Sequence, residues 1–280
     1  MRKFLFTGNM ALKGKVSGIV LILIMALSVL APLFYPHSPS RVDLNSLKEA
    51  PSFLTGHILG TDQEGRDILA RLLAGGKVSI GVSFLAAFFA MTVGLSVGLV
   101  SGYFGGKVDV ALMAAVDLIL AFPSLLLAIG VSVVLPPGTL TVMLAIASVG
   151  WASFARLVRG HVLSVREAQF VDAARAIGAS GPRILWAHIL PQCIPLALTL
   201  MAVKLGGYII TEASLSFLGL GAQPPNATWG AMISQGIAYI YAAPWIAVLP
   251  GLAIALTAFC FNVLGEALAD SGYDLKTGKF

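Results

Sequence analysis

Side chains that could do chemistry are few in this 280-residue sequence. Gly8 to Lys15 approaches the phosphate-binding pattern Gly-x-x-x-x-Gly-Lys-Ser/Thr, but five residues separate its glycines and Val16 follows the lysine. No Gly-x-Ser-x-Gly elbow for a nucleophilic serine occurs, and the histidines lack the spacing of a metal-binding pair. The four histidines are His37, His57, His161 and His188. The sequence therefore predicts a chain that is not an enzyme and that binds no cofactor or metal of its own.

Three ionisable residues lie within long apolar runs: Asp117, Lys204 and Glu212. Such groups are costly in a membrane and usually mark pathways or buried pairs. Lys204 and Glu212 are two helical turns apart and so share a face. We expect a buried interhelical ion pair or a contact with a neighbouring subunit. A direct substrate contact, or a lysine that reaches the lipid interface, is the alternative. Asp117 and Glu212 are the only acids in these runs, which disfavours an intramembrane enzyme.

The composition indicates that these apolar runs lie in a lipid bilayer. The chain is 58% hydrophobic and 11% charged, whereas soluble domains carry about 25% charged residues. Apolar runs of about 20 residues are long enough to span a bilayer as helices. Cys193 and Cys260 both lie in apolar segments, so neither a disulfide framework nor a cysteine zinc site is expected. The net charge of +5 comes without an aromatic-rich basic patch, and no nucleic-acid partner is expected.

The apolar runs predict an all-α integral membrane protein with six spans. The predicted spans are Val16–Phe34, Ser79–Phe104, Val110–Leu135, Leu140–Ala155, Cys193–Leu218 and Trp245–Leu264. The first is too long for a signal peptide and has no Ala-x-Ala cleavage site, which favours an uncleaved span. Gly94, Gly98 and Gly102 form a small-residue stripe for close helix packing, either within the chain or against another subunit.

Basic residues predict the orientation, because they concentrate on the cytoplasmic side. With the N-terminus inside, 12 of the 18 lysines and arginines fall in cytoplasmic segments, five fall outside and Lys204 lies in a span. Both termini are then cytoplasmic. The predicted division is a tail at 1–15, a first transmembrane helix at 16–34, an extracytoplasmic segment at 35–78, a five-helix core at 79–269 and a tail at 270–280. The core contains a cytoplasmic loop at 156–191.

This loop, Arg156 to Pro191, is a polar island among the apolar runs. Ser164 and Glu167 have the spacing of a capping box, and Gly178 is a natural helix end. The helix between them would carry one apolar face, made of Phe170, Ala173, Ala174 and Ile177. Ser180-Gly181-Pro182 would begin a second helix. The pattern suits docking in a groove of a soluble partner, or equally a helix resting on the lipid interface.

The island resembles the EAA loop of ABC-importer permeases. Asp172-Ala173-Ala174, Gly178 and Leu190-Pro191 match its Glu-Ala-Ala, Gly and Leu-Pro positions, although Asp172 replaces glutamate and His188 replaces isoleucine. The resemblance implies the six-helix bundle of a type I importer permease in a prokaryotic inner membrane. It also implies a second homologous permease, two cytoplasmic subunits that bind ATP and magnesium, and an extracytoplasmic substrate-binding protein. The implied ATPase-coupling residues are Phe170, Asp172, Ala173, Ala174, Arg175, Ile177, Gly178, Ala179 and Arg183.

Three further segments resemble the dipeptide/oligopeptide/nickel branch of these permeases. They are Leu59 to Asp67, which reads Leu-Gly-Thr-Asp-Gln-Glu-Gly-Arg-Asp, Leu215 to Gly230, and Pro244 to Gly265. The resemblance implies import of dipeptides or oligopeptides, with nickel or a metal chelate as the alternative substrate. An ion-coupled secondary carrier is a remote alternative, because the two halves show no internal repeat.

The first of these segments also has a local interpretation. Thr61 or Asp62 could cap a helix that runs through Asp67. This helix would anchor the bundle at the outer surface or contact the binding protein.

Overall fold

The computed structural model describes residues 2–54 and 56–277, with side chains at 12–30, 34–54 and 56–270. No strand forms in these ranges, and the helices account for nearly all regular structure. The α-helices are α1 (Arg2–Phe34), α2 (Ile68–Phe104), α3 (Gly106–Leu120), α4 (Ser124–Val134), α5 (Thr139–Val165), α6 (Gln169–Ala176), α7 (Gly181–Ile184), α8 (Leu190–Phe217), α9 (Trp229–Gly236) and α10 (Trp245–Thr277). A π-helical turn, Leu185–Ile189, joins α7 to α8.

Five of the described helical stretches are long and apolar enough to cross a bilayer, and α3 with α4 makes a sixth if the pair is one span. The third predicted span, Val110–Leu135, is wrong as a single helix, because α3 and α4 meet at an angle of 92°. The bend lies at Ala121 to Pro123. Proline disfavours helical geometry in the residue before it, which explains the break.

Helix α2 begins at Ile68 rather than near Ser79, and its N-cap is Asp67 rather than Thr61 or Asp62. The Asp67 side chain accepts a hydrogen bond from the backbone N–H of Ala70 at 2.7 Å. The expected helix is therefore present from Ile68 onward, as the first turns of α2, but its predicted start at Thr61 or Asp62 is wrong. An antiparallel bridge between Thr61 and Asp67 closes a tight loop there instead.

The core is divided into separate clusters of buried side chains. One of them includes Ala87, Ala90, Phe154, Leu205 and Ile209, from α2, α5 and α8. The glycine stripe of α2 lies against α5: a Cβ added at Gly98 would stand 2.7 Å from the Val158 Cβ. The stripe thus serves packing within the chain.

Candidate docking site

Helix α6, the glycine turn after it and the start of α7 carry the predicted coupling residues. Helix α6 begins at Gln169, and its N-cap Ala168 has no side-chain hydrogen bond. The expected capping box is wrong, because Ser164 still belongs to α5. Val158 and Val162 are buried against α2. This packing stabilises the last turns of α5, which includes Ser164 and ends at Val165.

The end of α6 agrees with the prediction. Gly178 adopts φ +81°, a conformation that costs glycine little. Its N–H donates to the carbonyl of Arg175 at 3.0 Å, and the N–H of Ala179 donates to that of Ala174 at 3.0 Å. These two bonds form a Schellman motif. A second helix then starts after Ser180 with proline in its first turn, as expected.

One face of α6 anchors it to the bundle. Val171 is fully buried and Ala174 is 5% exposed. Both pack in a cluster that includes Val162 of α5 and Ile184 of α7. Ala174 therefore faces inward, because the apolar stripe that the sequence predicted is split between the two sides of the helix. Ala179, half-buried, packs at the edge of the same cluster.

The opposite face of α6 is open. Ile177 is 86% and Phe170 is 45% exposed. We call the exposed set of Phe170, Asp172, Ala173, Arg175 and Ile177 the α6 face. Within it the Arg175 guanidinium donates to the Asp172 carboxylate at 2.9 Å. Arg183 is exposed beyond the glycine turn. The α6 face combines apolar area with a paired charge, and an exposed apolar helix face is suited to a hydrophobic groove on a partner.

The end of α5, from which α6 follows, is held by polar contacts that were not predicted from the sequence. Arg159 of α5 makes a two-pronged ion pair with Asp109 of α3, at 2.8 and 2.6 Å. Arg166 donates to the carbonyl of Gly102, at the end of α2, at 2.9 Å. Such paired, planar contacts fix geometry as well as adding energy. They tie α5 to the two neighbouring helices just before α6.

The three intramembrane charges do not pair with one another among the described residues. Asp117 pairs instead with Arg156, and both side chains are more than half exposed. Glu212 is 1% exposed. Its Oε1 accepts a hydrogen bond from Ser216 at 2.7 Å, while its Oε2 has no hydrogen-bond partner within the part of the chain that the structure describes. Lys204 lines a cleft of about 90 Å³ between α4, α5 and α8. A pairing across chains stays a prediction.

The segment at Leu59 to Asp67 contributes to a buried ion-pair network. We call Asp62, Arg66, Arg71 and Gln235 the outer ion-pair network. Asp62 binds Arg66 at 2.7 Å and Arg71 at 3.3 Å. Both guanidinium groups also donate to the side-chain oxygen of Gln235, at 3.1 Å each. Asp62, Arg66 and Arg71 are at most 5% exposed. These buried charges join the outer segment to α2 and α9.

Asp67 contacts a second group of polar side chains, next to the outer ion-pair network. The Tyr35 hydroxyl donates to it at 3.1 Å, and His57 Nδ1 lies 2.9 Å from the same oxygen. Burial and the Asp67 charge raise the pKa of Tyr35 to about 12, so the hydroxyl remains a donor. No spacing pattern in the sequence indicates this group, because Tyr35 and His57 lie 32 and 10 residues before Asp67.

The described bundle with a projecting helix and glycine turn has the architecture of a membrane transporter subunit. Residues 94–271 match the family model described as "Binding-protein-dependent transport system inner membrane component". This chain belongs to that family. The resemblance to ABC-importer permeases is thereby confirmed.

Curated relatives and solved structures agree with this assignment. An oligopeptide transport system permease protein from Haemophilus influenzae is 36% identical over 90% of this chain and 81% of its own. A glutathione transport system permease protein from Pectobacterium atrosepticum is 38% identical over 91% and 84%. The structure titled as inward-facing conformations of a methionine ABC transporter has a TM-score of 0.54 at 19% identity, covering 71% of this chain and 96% of its own. That likeness establishes a shared fold.

Proposed function

We propose that this chain is one of two membrane subunits of an ATP-driven, binding-protein-dependent importer of dipeptides or oligopeptides. The names of its relatives support this class of substrate, since oligopeptides and glutathione are both peptides. Nickel is less favoured as the substrate, because neither of these relatives carries a metal in its name. The observation that carries the proposal is the α6 face, an apolar surface on a rigidly mounted helix.

In this proposal the α6 face lies in a cleft of a cytoplasmic ATP-binding subunit. ATP and magnesium are held by two such subunits, and this chain performs no hydrolysis. The N-terminus and C-terminus lie in the cytoplasm of a prokaryotic cell, and the chain crosses the inner membrane. A second homologous permease completes the bundle, and a substrate-binding protein delivers the peptide from outside.

The helix order supports a lever mechanism. Helix α7, the π-helical turn and α8 form one stretch from Gly181 to Phe217. A displacement of α6 would reach α8 through the short turn at Gly178. Helix α8 carries Lys204 into the cleft between α4 and α5. ATP-driven closure of the partner subunits would thus shift the bundle between inward-open and outward-open states.

Ile177→Asp tests the docking step. It places a charge at the most exposed apolar side chain of the α6 face. Burying an isoleucine at an interface is worth about 1.5–3 kcal/mol. We therefore expect at least about tenfold less ATPase subunit to co-purify with the permease. ATP-dependent uptake of a labelled tripeptide into proteoliposomes should fall in parallel.

Gln169→Asp is the matched control, because it adds the same charge to the same helix at an exposed polar position outside the α6 face. We expect capture and uptake close to those of the unmodified protein. If Ile177→Asp leaves both readouts unchanged, α6 is not the docking element. If the unmodified complex accumulates peptide without ATP, the importer assignment itself fails.

A further inference from the structure

Three side chains with metal-ligand chemistry meet beside the start of α2. They are His37, His57 and Asp67, and one ligand atom from each lies within 4.8 Å of the other two. The two imidazole rings have centroids 5.0 Å apart. His37 follows α1, His57 lies in the loop before the outer ion-pair network, and Asp67 is the N-cap of α2. Only the fold brings them together.

The carboxylate of this group is held in place before any ligand arrives. Asp67 Oδ1 accepts the N–H of Ala70, which fixes the side chain as the helix cap. Its other oxygen accepts the Tyr35 hydroxyl and faces His57 Nδ1. Asp67 is 3% exposed. Outer hydrogen bonds of this kind orient metal-binding carboxylates and histidines.

One separation in this group, between His57 and Asp67, is close to the spacing of two ligands on a small transition-metal ion, and the ligand atom of His37 lies within 4.8 Å of both. Zinc binds imidazole nitrogen and carboxylate oxygen at about 2.0–2.2 Å in tetrahedral geometry, which separates the ligand atoms by about 3.3 Å. His57 Nδ1 and Asp67 Oδ2 are 2.9 Å apart. A cleft of about 170 Å³ adjoins the group, lined also by Ser38, Arg41 and Asp43. It leaves space for water as a fourth ligand.

We propose that His37, His57 and Asp67 bind a divalent transition-metal ion of the zinc type. This assignment departs from the sequence-based expectation of no metal. The ion would connect the segment after α1 to the first turn of α2, and so clamp the outer segment onto the bundle. Two imidazoles with one carboxylate favour such an ion over magnesium or calcium, which prefer sites made of oxygen alone.

The test is a zinc titration of the full chain, purified with a tag that contains no histidine and freed of metal with a chelator. Competition with a chromogenic chelator gives stoichiometry and affinity. We expect one zinc ion per chain, unaffected by excess magnesium or calcium. His37→Gln and His57→Gln should each weaken zinc binding at least about tenfold. Even the loss of a residue that only hydrogen-bonds to a metal ligand lowers metal affinity by about 10–100-fold.

His188→Gln is the matched control, because it removes a histidine from the opposite end of the bundle and should leave the titration unchanged. Cobalt on the unmodified chain gives a readout that needs no variant: visible absorption bands typical of tetrahedral coordination should appear with one equivalent. If cobalt produces no saturable bands, the proposal is overturned. Equal zinc affinity in a folded His37→Gln/His57→Gln double variant would likewise overturn it.

Discussion

Asp62 neutralises buried positive charge in the outer ion-pair network, because its carboxylate pairs with the guanidinium groups of both Arg66 and Arg71. Asp62→Asn removes the charge but keeps the oxygen that accepts the backbone N–H of Glu64. Breaking a buried ion pair leaves an uncompensated charge and costs about 3–5 kcal/mol. We expect a marked fall in the thermal unfolding midpoint of the purified protein and less protein in the membrane.

Glu64 provides the control for this change within the same loop. It also contacts Arg66, at 3.1 Å, but its side chain is 49% exposed. Exposed ion pairs contribute about 0–1 kcal/mol. Glu64→Gln should therefore leave the unfolding midpoint nearly unchanged. Similar losses in the two variants would mean that burial does not set the strength of this network.

At the scale of helices, the glycine stripe of α2 determines how closely α5 approaches. Gly98→Ala would place a Cβ 2.7 Å from both the Ala155 carbonyl oxygen and the Val158 Cβ. Forcing an extra carbon into such a contact costs about 1–3 kcal/mol. The variant should unfold at a lower temperature, as measured by intrinsic fluorescence in detergent.

Gly207→Ala separates this packing effect from the effect of alanine itself. Gly207 lies in the interior of α8, and a Cβ added there meets nothing within 4 Å. Alanine favours an exposed helix by about 1 kcal/mol over glycine. Gly207→Ala should thus be neutral or stabilising. A loss equal to that of Gly98→Ala would place the α2–α5 contact in doubt.

The long helices were predictable because each needs one continuous apolar run, and composition reports such runs directly. The break between α3 and α4 also had a signal, since Pro123 stands inside the third run. The α6 helix was predicted with the correct end but the wrong start. Gly178 acts through its own backbone, whereas the end of α5 depends on burial of Val162 against α2, which no local pattern reveals.

For the molecule as a whole, contacts between distant residues were the part that sequence reasoning could not reach. Asp109 meets Arg159, and Asp117 meets Arg156, across helices that lie far apart in the chain. Ionisable residues in apolar runs indicate that partners are needed, but only the packing of helices selects them. The same reason explains why Lys204 and Glu212, correctly placed on one helix, do not bind Asp117.

The orientation of the whole bundle is the prediction on which docking from the cytoplasm depends. Single cysteines at Leu54, in the outer segment, and at Ala176, at the end of α6, would lie on opposite sides of the membrane. Both positions are exposed. The two native cysteines are at most 3% exposed, so the unmodified chain should give little background label.

A membrane-impermeant maleimide added to intact cells should label Leu54→Cys and spare Ala176→Cys. After permeabilisation both should react, which controls for the accessibility of Ala176→Cys in the folded protein. Labelling of Ala176→Cys in intact cells would place the α6 face outside, where no ATP-binding subunit could reach it. In that case the basic residues of the chain would lie mainly on the outer side, contrary to the charge bias of membrane proteins.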